Sequence, residues 1–172
     1  MNFDELKLSK ELLKAVKDLG YEKPTPIQEK VIPKILVGQD ILGIAPTGTG
    51  KTAAFILPIL RKLNYAQGEH PRAVVFVPTR ELAVQVYENA VNLSLYTDLR
   101  CCKLIGGTGM QAQIKEVRKG VDLIVATPGR FMDIYLKGEV FLKKVNTMVL
   151  DEADKMMDMG FLPQLNQILD PK

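Results

Sequence analysis

A glycine- and threonine-rich segment that ends in Lys51-Thr52 has the residue types and spacing of a phosphate-binding loop. The segment begins at Ala45 and reads Ala-Pro-Thr-Gly-Thr-Gly-Lys-Thr. In such loops backbone N–H groups surround the phosphates, the lysine reaches the β- and γ-phosphates, and the final hydroxyl binds Mg²⁺. Ala45 stands where the strict pattern has glycine, so the pattern alone is not met. The alternative is a turn between two core elements, which gives no reason for Lys51-Thr52 at a helix start.

A second candidate site is the acidic run Asp151-Glu152-Ala153-Asp154. It follows the apolar run Thr147-Met148-Val149-Leu150, so we expect its carboxylates at the end of a strand. Phosphoryl transfer needs one carboxylate that holds Mg²⁺, usually through water, and a second group that orients or deprotonates the attacking water. Asp151 and Glu152 fit these two roles. Without a phosphate loop in the chain, an acidic turn that caps the next segment would be the default interpretation.

Thr25 and Gln28 allow two interpretations. Their spacing, with Pro26 at the first helical position, is that of a helix-capping box, and the spacing alone favours that interpretation. A glutamine amide also presents one donor and one acceptor that match adenine N6 and N7. Gln28 could therefore read an adenine edge.

These segments require alternating strands and helices to position them. Apolar, β-branched runs that predict strands lie at Asp40–Ala45, Ala73–Val77, Arg100–Ile105, Val121–Ala126 and Thr147–Leu150. Caps and helical spacing predict helices at Ser9–Leu19, Thr25–Gly38, Lys51–Leu63, Arg80–Leu93, Met110–Lys119, Pro128–Leu136 and Pro163–Leu169. The alternation indicates an α/β fold, with a mostly parallel sheet flanked by helices on both faces and ligand sites at the carboxyl ends of its strands. Three of the strand runs are apolar enough to be buried on both faces.

Composition bounds the class of protein. The 172 residues are 47% hydrophobic and 25% charged, which excludes a disordered or fibrous chain. The formal charge of +3 is too small to indicate nucleic acid, so any polyanion site must be local. Adjacent Cys101 and Cys102 are expected to be reduced, buried thiols, and His70 in the polar loop 64–71 is expected to be a solvated side chain. With no leader and no apolar run of membrane length, we expect a cytoplasmic protein, or a nuclear one if the source is eukaryotic, and no membrane partner.

Taken together, the motifs resemble those of the first RecA-like domain of a DEAD-box ATP-dependent RNA helicase. Besides the acidic run, the family's Q motif is matched by Phe3, Gly20-Tyr21, Pro24-Thr25 and Ile27-Gln28, with Tyr21 where phenylalanine is common. In that family the phosphate loop begins with alanine, and the resemblance implies that Gln28 reads adenine while also ordering the loop. The implied ATP-binding residues are Phe3, Tyr21, Thr25, Gln28, Ala45, Pro46, Thr47, Gly48, Thr49, Gly50, Lys51 and Thr52. Lys51, Asp151 and Glu152 are the implied catalytic residues, with Thr52 and Asp151 holding Mg²⁺ largely through water.

The resemblance also extends to the family's RNA-contacting motifs. The matching residues are Pro78, Thr79 and Arg80 (followed by Glu81-Leu82-Ala83 and Gln85), then Gly106 and Gly107, then Thr127, Pro128, Gly129 and Arg130. Threonine hydroxyls, glycine N–H groups and arginine side chains suit a nucleic-acid backbone and offer no readout of base sequence. Each motif alone could be a common turn or a solvated arginine. The implied partner is RNA, single-stranded or in a short duplex.

The implied function is ATP-dependent RNA unwinding, with residues 1–38 as a helical Q-motif region and 39–172 as an incomplete RecA-like domain. The family's Ser-Ala-Thr motif is not found in the sequence, and neither is the second RecA-like domain that completes the ATP site. We therefore expect a fragment that binds adenine nucleotide weakly, hydrolyses it slowly or not at all, and leaves a sheet edge unpaired. Two rival functions are a DNA helicase or other superfamily-two ATPase, and an RNA-binding module that uses nucleotide as a structural clamp.

Overall fold

The described strands of the computed structural model form one parallel sheet. The structure describes residues 1–39, 50–161, 163, 164 and 166. Its strands are β1 (Ala73–Phe76), β2 (Cys101–Leu104), β3 (Leu123–Ala126) and β4 (Thr147–Leu150), in the spatial order β2-β3-β1-β4. Phe76 is in register with both Ala126 and Leu150, and Leu104 with Ala126. The four strands therefore end level with one another. The parallel sheet, with helices between its strands in the chain, confirms the predicted α/β, RecA-like fold class. The strand predicted at 40–45 lies outside the described residues.

A short 3-10 turn (Phe3–Leu6) precedes the α-helices of the described chain. These are α1 (Lys10–Asp18), α2 (Pro26–Leu36), α3 (Lys51–Leu63), α4 (Arg80–Leu93), α5 (Met110–Arg118), α6 (Pro128–Leu136) and α7 (Ala153–Asp158). None of the helices in the described part of the chain has the length and apolar character needed to cross a membrane.

The chain divides into two compact units. The first contains residues 1–66 and 88–99, and so holds the 3-10 turn, α1, α2, α3 and the last turns of α4. The second contains residues 67–87 and 100–172 and holds the whole described sheet. The predicted division at residue 38 stays a prediction.

Local capping determines where the first helices begin. Ser9 accepts a hydrogen bond from the N–H of Leu12 at 3.3 Å, and α1 gives way to Gly20, whose φ of +81° suits glycine. α2 begins at Pro26 behind a complete capping box formed by Thr25 and Gln28. These starts, and the full extents predicted for α3, α4 and α6, are confirmed.

The strands differ in burial. All residues of β1 and β3 are buried, so both faces of these central strands are covered, as predicted for apolar parallel strands. β4 is only half-buried along its length, although three of its four residues are apolar. The difference is positional, because β4 pairs only with β1 among the described strands.

Helix α7 was not predicted. The sequence showed an acidic run after β4 and placed the next helix at 163–169, most of which lies outside the described residues. In the structure α7 starts directly after Glu152, and its Met156 is fully buried in the core beside the sheet. With six residues, it is too short to show helical periodicity. The following Gly160, with a φ of +80°, was the available stop signal.

Cys101 and Cys102 are not joined by a disulfide, as predicted, but only Cys102 is buried, and His70 is not simply solvated. Burial, with smaller contributions from Glu116 and Cys101, raises the pKa of the Cys102 thiol. His70 is half-buried, and its ring meets that of Phe141 edge-on at 5.1 Å between centroids. The aromatic contact of this loop side chain comes from a residue far away in sequence.

The amino-terminal ends of the central strands are joined by a buried carboxylate. Asp122, fully buried, precedes β3 and pairs with Arg72 at 2.9 Å and with Arg100 at 3.1 Å. Its oxygens also accept the backbone N–H groups of Gln67 and Arg100. Burial alone would raise the pKa of Asp122, but the hydrogen bonds from Arg100, Arg72 and Gln67 outweigh burial and lower it. Asp122 is therefore charged at neutral pH and ties together the chain segments that enter β1, β2 and β3.

We expect Asp122→Asn to lower the free energy of unfolding, measured by urea denaturation at pH 7, by about 3–5 kcal/mol, because two arginines lose their buried counter-charge. Since the pKa of Asp122 is lowered on folding, its contribution is complete above the unfolded value of about 3.9 and is lost as the pH falls through the lower folded value. The exposed Asp133→Asn is the control, expected within about 0.5 kcal/mol of wild type. An equal effect of both substitutions would contradict this role for Asp122.

Candidate functional site

In the first unit, Gln28 joins the start of α2 to the end of the predicted phosphate loop. Its Oε1 accepts the N–H of Thr25 at 3.0 Å, and its Nε2 donates to the carbonyl of Gly50 at 3.1 Å. The capping interpretation is thus observed, together with a second contact that capping does not require. An amide oxygen has two lone pairs and its NH₂ group two hydrogens, so these bonds use half of its capacity. Gln28 is only 3% exposed, and its contact with adenine stays a prediction.

Gly50 and Lys51 mark the junction between the loop and α3. Gly50 has a φ of +80°, and a Cβ there would lie 2.6 Å from Gln28 Nε2 and 2.9 Å from Thr25 Oγ1. Only glycine fits this close approach. α3 begins at Lys51, and its N-cap residue, Gly50, has no side chain that could cap the first turn. A helix start of this kind can bind an anion through its N–H groups and its positive dipole end, which fits the predicted triphosphate.

The remaining predicted nucleotide residues are placed as follows. Phe3 is 5% exposed and packs in the interior of the first unit, which gives it a structural role whatever it contributes to ATP. Tyr21 is half-buried, and its N–H donates to the carbonyl of Val16. The predicted loop residues Ala45, Pro46, Thr47, Gly48 and Thr49 lie outside the described residues.

In the second unit, the acidic run leaves the sheet directly after β4. The N–H of Asp151 donates to the carbonyl of Phe76 at 2.9 Å, which extends the pairing with β1, and its side chain is buried. Glu152 adopts the left-handed conformation, with φ 54° and ψ 50°. This conformation costs a non-glycine residue on the order of 1–2 kcal/mol, and such strain is concentrated at functional sites. The Lys155 ammonium lies 3.7 Å from the Glu152 carboxylate.

An open groove of about 450 Å³ collects residues from all three predicted RNA-contacting motifs. Because the strands end level, the loops after β1, β2 and β3 meet at one edge of the sheet. Of the predicted residues, the groove is lined by Pro78, Thr79, Arg80, Gly106, Thr127, Gly129 and Arg130. Pro128 is buried as the first residue of α6, and Gly107 is exposed.

The groove presents hydrogen-bond donors on rigid elements. Thr79 Oγ1 accepts the N–H of Leu82 at 3.2 Å, which caps α4 and leaves the hydroxyl proton able to donate. Thr127 stands at the start of α6 and makes no capping bond with its side chain. Both helices begin at the groove, and the partial positive charge of a helix N-terminus favours anions there.

The backbone of Gly107 and the side chain of Arg80 lie close together at the Gly-Gly loop. Gly107 has a φ of +79°, and a Cβ at this position would overlap the guanidinium of Arg80. The arginine therefore lies directly against the Gly-Gly loop. These two predicted motifs are brought together by the fold.

Three groove residues lie outside the predicted motifs: Asp133, Met159 and Phe161. A fourth, Glu81, belongs to the first motif but was not assigned an RNA contact. Met159 is 50% exposed and lies at the end of α7, the helix that sequence periodicity could not indicate. Glu81 and Asp133 carry negative charge, so the groove is not uniformly basic. Attraction for a polyanion must therefore come from local contacts with Arg80 and Arg130.

We expect Gly50→Ala to weaken nucleotide binding and to destabilise the chain more than Gly38→Ala does. Gly38 is the matched control, because its φ of +87° carries the same backbone strain while a Cβ there would meet nothing within 4 Å. Gly38→Ala should cost about 1–2 kcal/mol in urea unfolding. Gly50→Ala should cost more and should also lower the affinity for Mg-ADP in calorimetry. Equal effects on stability and affinity would contradict a specific role for the contact with Gln28 and Thr25.

Comparison with known proteins agrees with this arrangement. The profile of the family described as DEAD/DEAH box helicase matches residues 25–171. The chain is 47% identical to the ATP-dependent RNA helicase RhlB of Pseudomonas putida, over 97% of this chain and 44% of that protein. It is 44% identical to the ATP-dependent RNA helicase drs1 of Schizosaccharomyces pombe, over 98% of this chain and 23% of that protein. With the probable ATP-dependent RNA helicase DDX46 of Homo sapiens, identity is 46% over 95% of this chain and 16% of that protein.

The chain thus spans less than half the length of each of these relatives. The match nevertheless covers the capping box at Thr25, the phosphate loop, the groove and the acidic run in one continuous alignment. The chain belongs to the DEAD/DEAH box helicase family.

Proposed function

We propose that this chain is the ATP- and RNA-binding first domain of an ATP-dependent RNA helicase, acting with a second RecA-like domain. The observation that carries the proposal is the groove, in which Thr79, Arg80, Gly106, Thr127 and Arg130 come together from three separate loops. Family membership and the printed names of the relatives support the same function.

In the proposed nucleotide site, each residue has a role that its chemistry supports. The N–H groups at the start of α3 and the Lys51 ammonium would hold the phosphates. Gln28 would read adenine with the lone pair and amide hydrogen that its protein contacts leave over. Its bond to Gly50 would then transmit base recognition to the phosphate loop.

The proposed chemistry is water attack on the γ-phosphate. Mg²⁺, when bound, would neutralise phosphate charge, and the Thr52 hydroxyl and Asp151 carboxylate would hold it largely through water. Glu152 would orient or deprotonate the attacking water, and its left-handed backbone fixes the direction in which its carboxylate leaves the chain. The buried Met156 anchors the helix that follows and so supports this conformation.

For RNA, the proposed contacts are to the sugar-phosphate backbone. Hydroxyls, N–H groups and guanidinium groups fix the position of a strand without reading its bases. In the proposed reaction the two RecA-like domains close around ATP and single-stranded RNA and open short duplexes locally.

The adenine role of Gln28 can be tested by calorimetric titration with Mg-ADP and Mg-GDP. We expect wild type to prefer ADP and Gln28→Ala to reduce that preference about tenfold, because a site that hydrogen-bonds a ligand discriminates by roughly this factor or more. The ratio of the two affinities is the informative quantity. If Gln28→Ala lowered the affinities for Mg-ADP and Mg-GDP by the same factor, the loss would reflect a capping defect, and the role of Gln28 would be purely structural.

The RNA groove can be tested by the salt dependence of binding to a fluorescein-labelled oligouridylate. Each phosphate contact contributes about 0.7 to the slope of log K against log salt for a single strand. We expect Arg80→Ala and Arg130→Ala each to lower the slope by about that amount and the affinity by about tenfold.

Arg118→Ala is the matched control, since Arg118 pairs with Glu139 on the surface and does not line the groove. It should leave both the slope and the affinity unchanged. Competition with oligodeoxythymidylate separates an RNA helicase from a DNA-directed relative. Equal losses from all three arginine variants would contradict the groove as the RNA site.

A further inference from the structure

Gln113, which belongs to none of the predicted motifs, joins two of the groove loops. It is 7% exposed on α5, one turn into the helix that follows the Gly-Gly loop. Its Nε2 donates to the carbonyl of Ile105 at 2.9 Å and to the hydroxyl of Thr108 at 2.6 Å. Its Oε1 accepts from Arg130 Nη1 at 3.0 Å.

Arg130 is held from two sides by this arrangement. The same Nη1 donates to the carbonyl of Thr108 at 3.0 Å, so both of its hydrogens are used within the protein. The Nε of Arg130 is buried and has no hydrogen-bond partner among the described residues. A guanidinium has five N–H donors, and the two on Nη2 remain for a ligand at the groove. An arginine fixed by one nitrogen, with its others unused, is prepared to bind an oxyanion in a defined orientation.

We propose that Gln113 is a positioning residue for RNA binding, which orients Arg130 and the Gly-Gly loop toward a backbone phosphate. The proposal rests on the proposed function of the groove. Gln113 does not line the groove, so it acts through Arg130 rather than on RNA. Binding then loses less side-chain entropy, because Arg130 is ordered before RNA arrives.

The test is a double-mutant cycle between Gln113 and Arg130 on affinity for the fluorescein-labelled oligouridylate. We expect Gln113→Leu to weaken binding about five- to tenfold in the wild-type background and less than about twofold when Arg130 is already alanine. The salt slope should fall by about 0.7 in Gln113→Leu, as in Arg130→Ala. Affinity for Mg-ADP should be unchanged.

One further variant separates positioning from general stability. Gln111→Leu, the same change at an exposed site on the same helix, should have no effect. If Gln113→Leu does not fold by circular dichroism, Gln113→Asn replaces it, since its shorter side chain cannot keep all three contacts.

The outcomes distinguish this inference from the function on which it rests. Equal losses from Gln113→Leu in the wild-type and Arg130→Ala backgrounds would overturn the positioning role. Absence of RNA binding by the wild-type chain would instead contradict the proposed function.

Discussion

The level ending of the parallel strands is the constraint on which the groove and the acidic run of the second unit depend. Phe76, Leu104, Ala126 and Leu150 share one register across β1–β4. Every loop that follows a strand must therefore leave from the same edge. A register slip in one strand would move its loop along the sheet and reverse the faces of its side chains. The burial of both faces of β1 and β3 opposes such a slip, so packing of the core and assembly of the groove have the same cause.

The opposite edge of the sheet has a structural role. Asp122 and its two arginines join the entries to β1, β2 and β3 in a buried ionic cluster, which is stable only with all partners present. Gly120 takes part, because a Cβ there would overlap the Arg100 guanidinium. At this edge the Asp122 carboxylate accepts all its hydrogen bonds from within the protein. At the other edge, the N–H groups on Nη2 of Arg130 have no partner within the described part of the protein. This asymmetry separates a structural ion cluster from a candidate binding site, although both consist of arginines beside strand ends.

The individual motifs of the groove were predictable from the sequence, but the hydrogen-bond network that supports them was not. Thr79, Gly106 and Arg130 carry recognisable neighbours, and each was predicted to follow a strand. Gln113 had no such signal, since one glutamine in a polar helix is indistinguishable from its exposed neighbour Gln111 until the fold buries it. Asp122 was hidden in the same way within an apolar run. Met159 was missed because the six residues of α7 are fewer than the roughly 11 needed to detect helical periodicity in a sequence.

The sequence by itself determined what is local. Ser9 and Thr25 set helix starts, glycines stop α1 and α2, and apolar runs predict strands, because capping, backbone freedom and periodicity act over a few neighbouring residues. Tertiary structure alone decided the order β2-β3-β1-β4, the half-buried state of β4, the arginine pair around Asp122 and the contact of Gln113 with Arg130. These features depend on contacts between segments far apart in the chain. The spacing of residues along the sequence does not specify which of those segments meet.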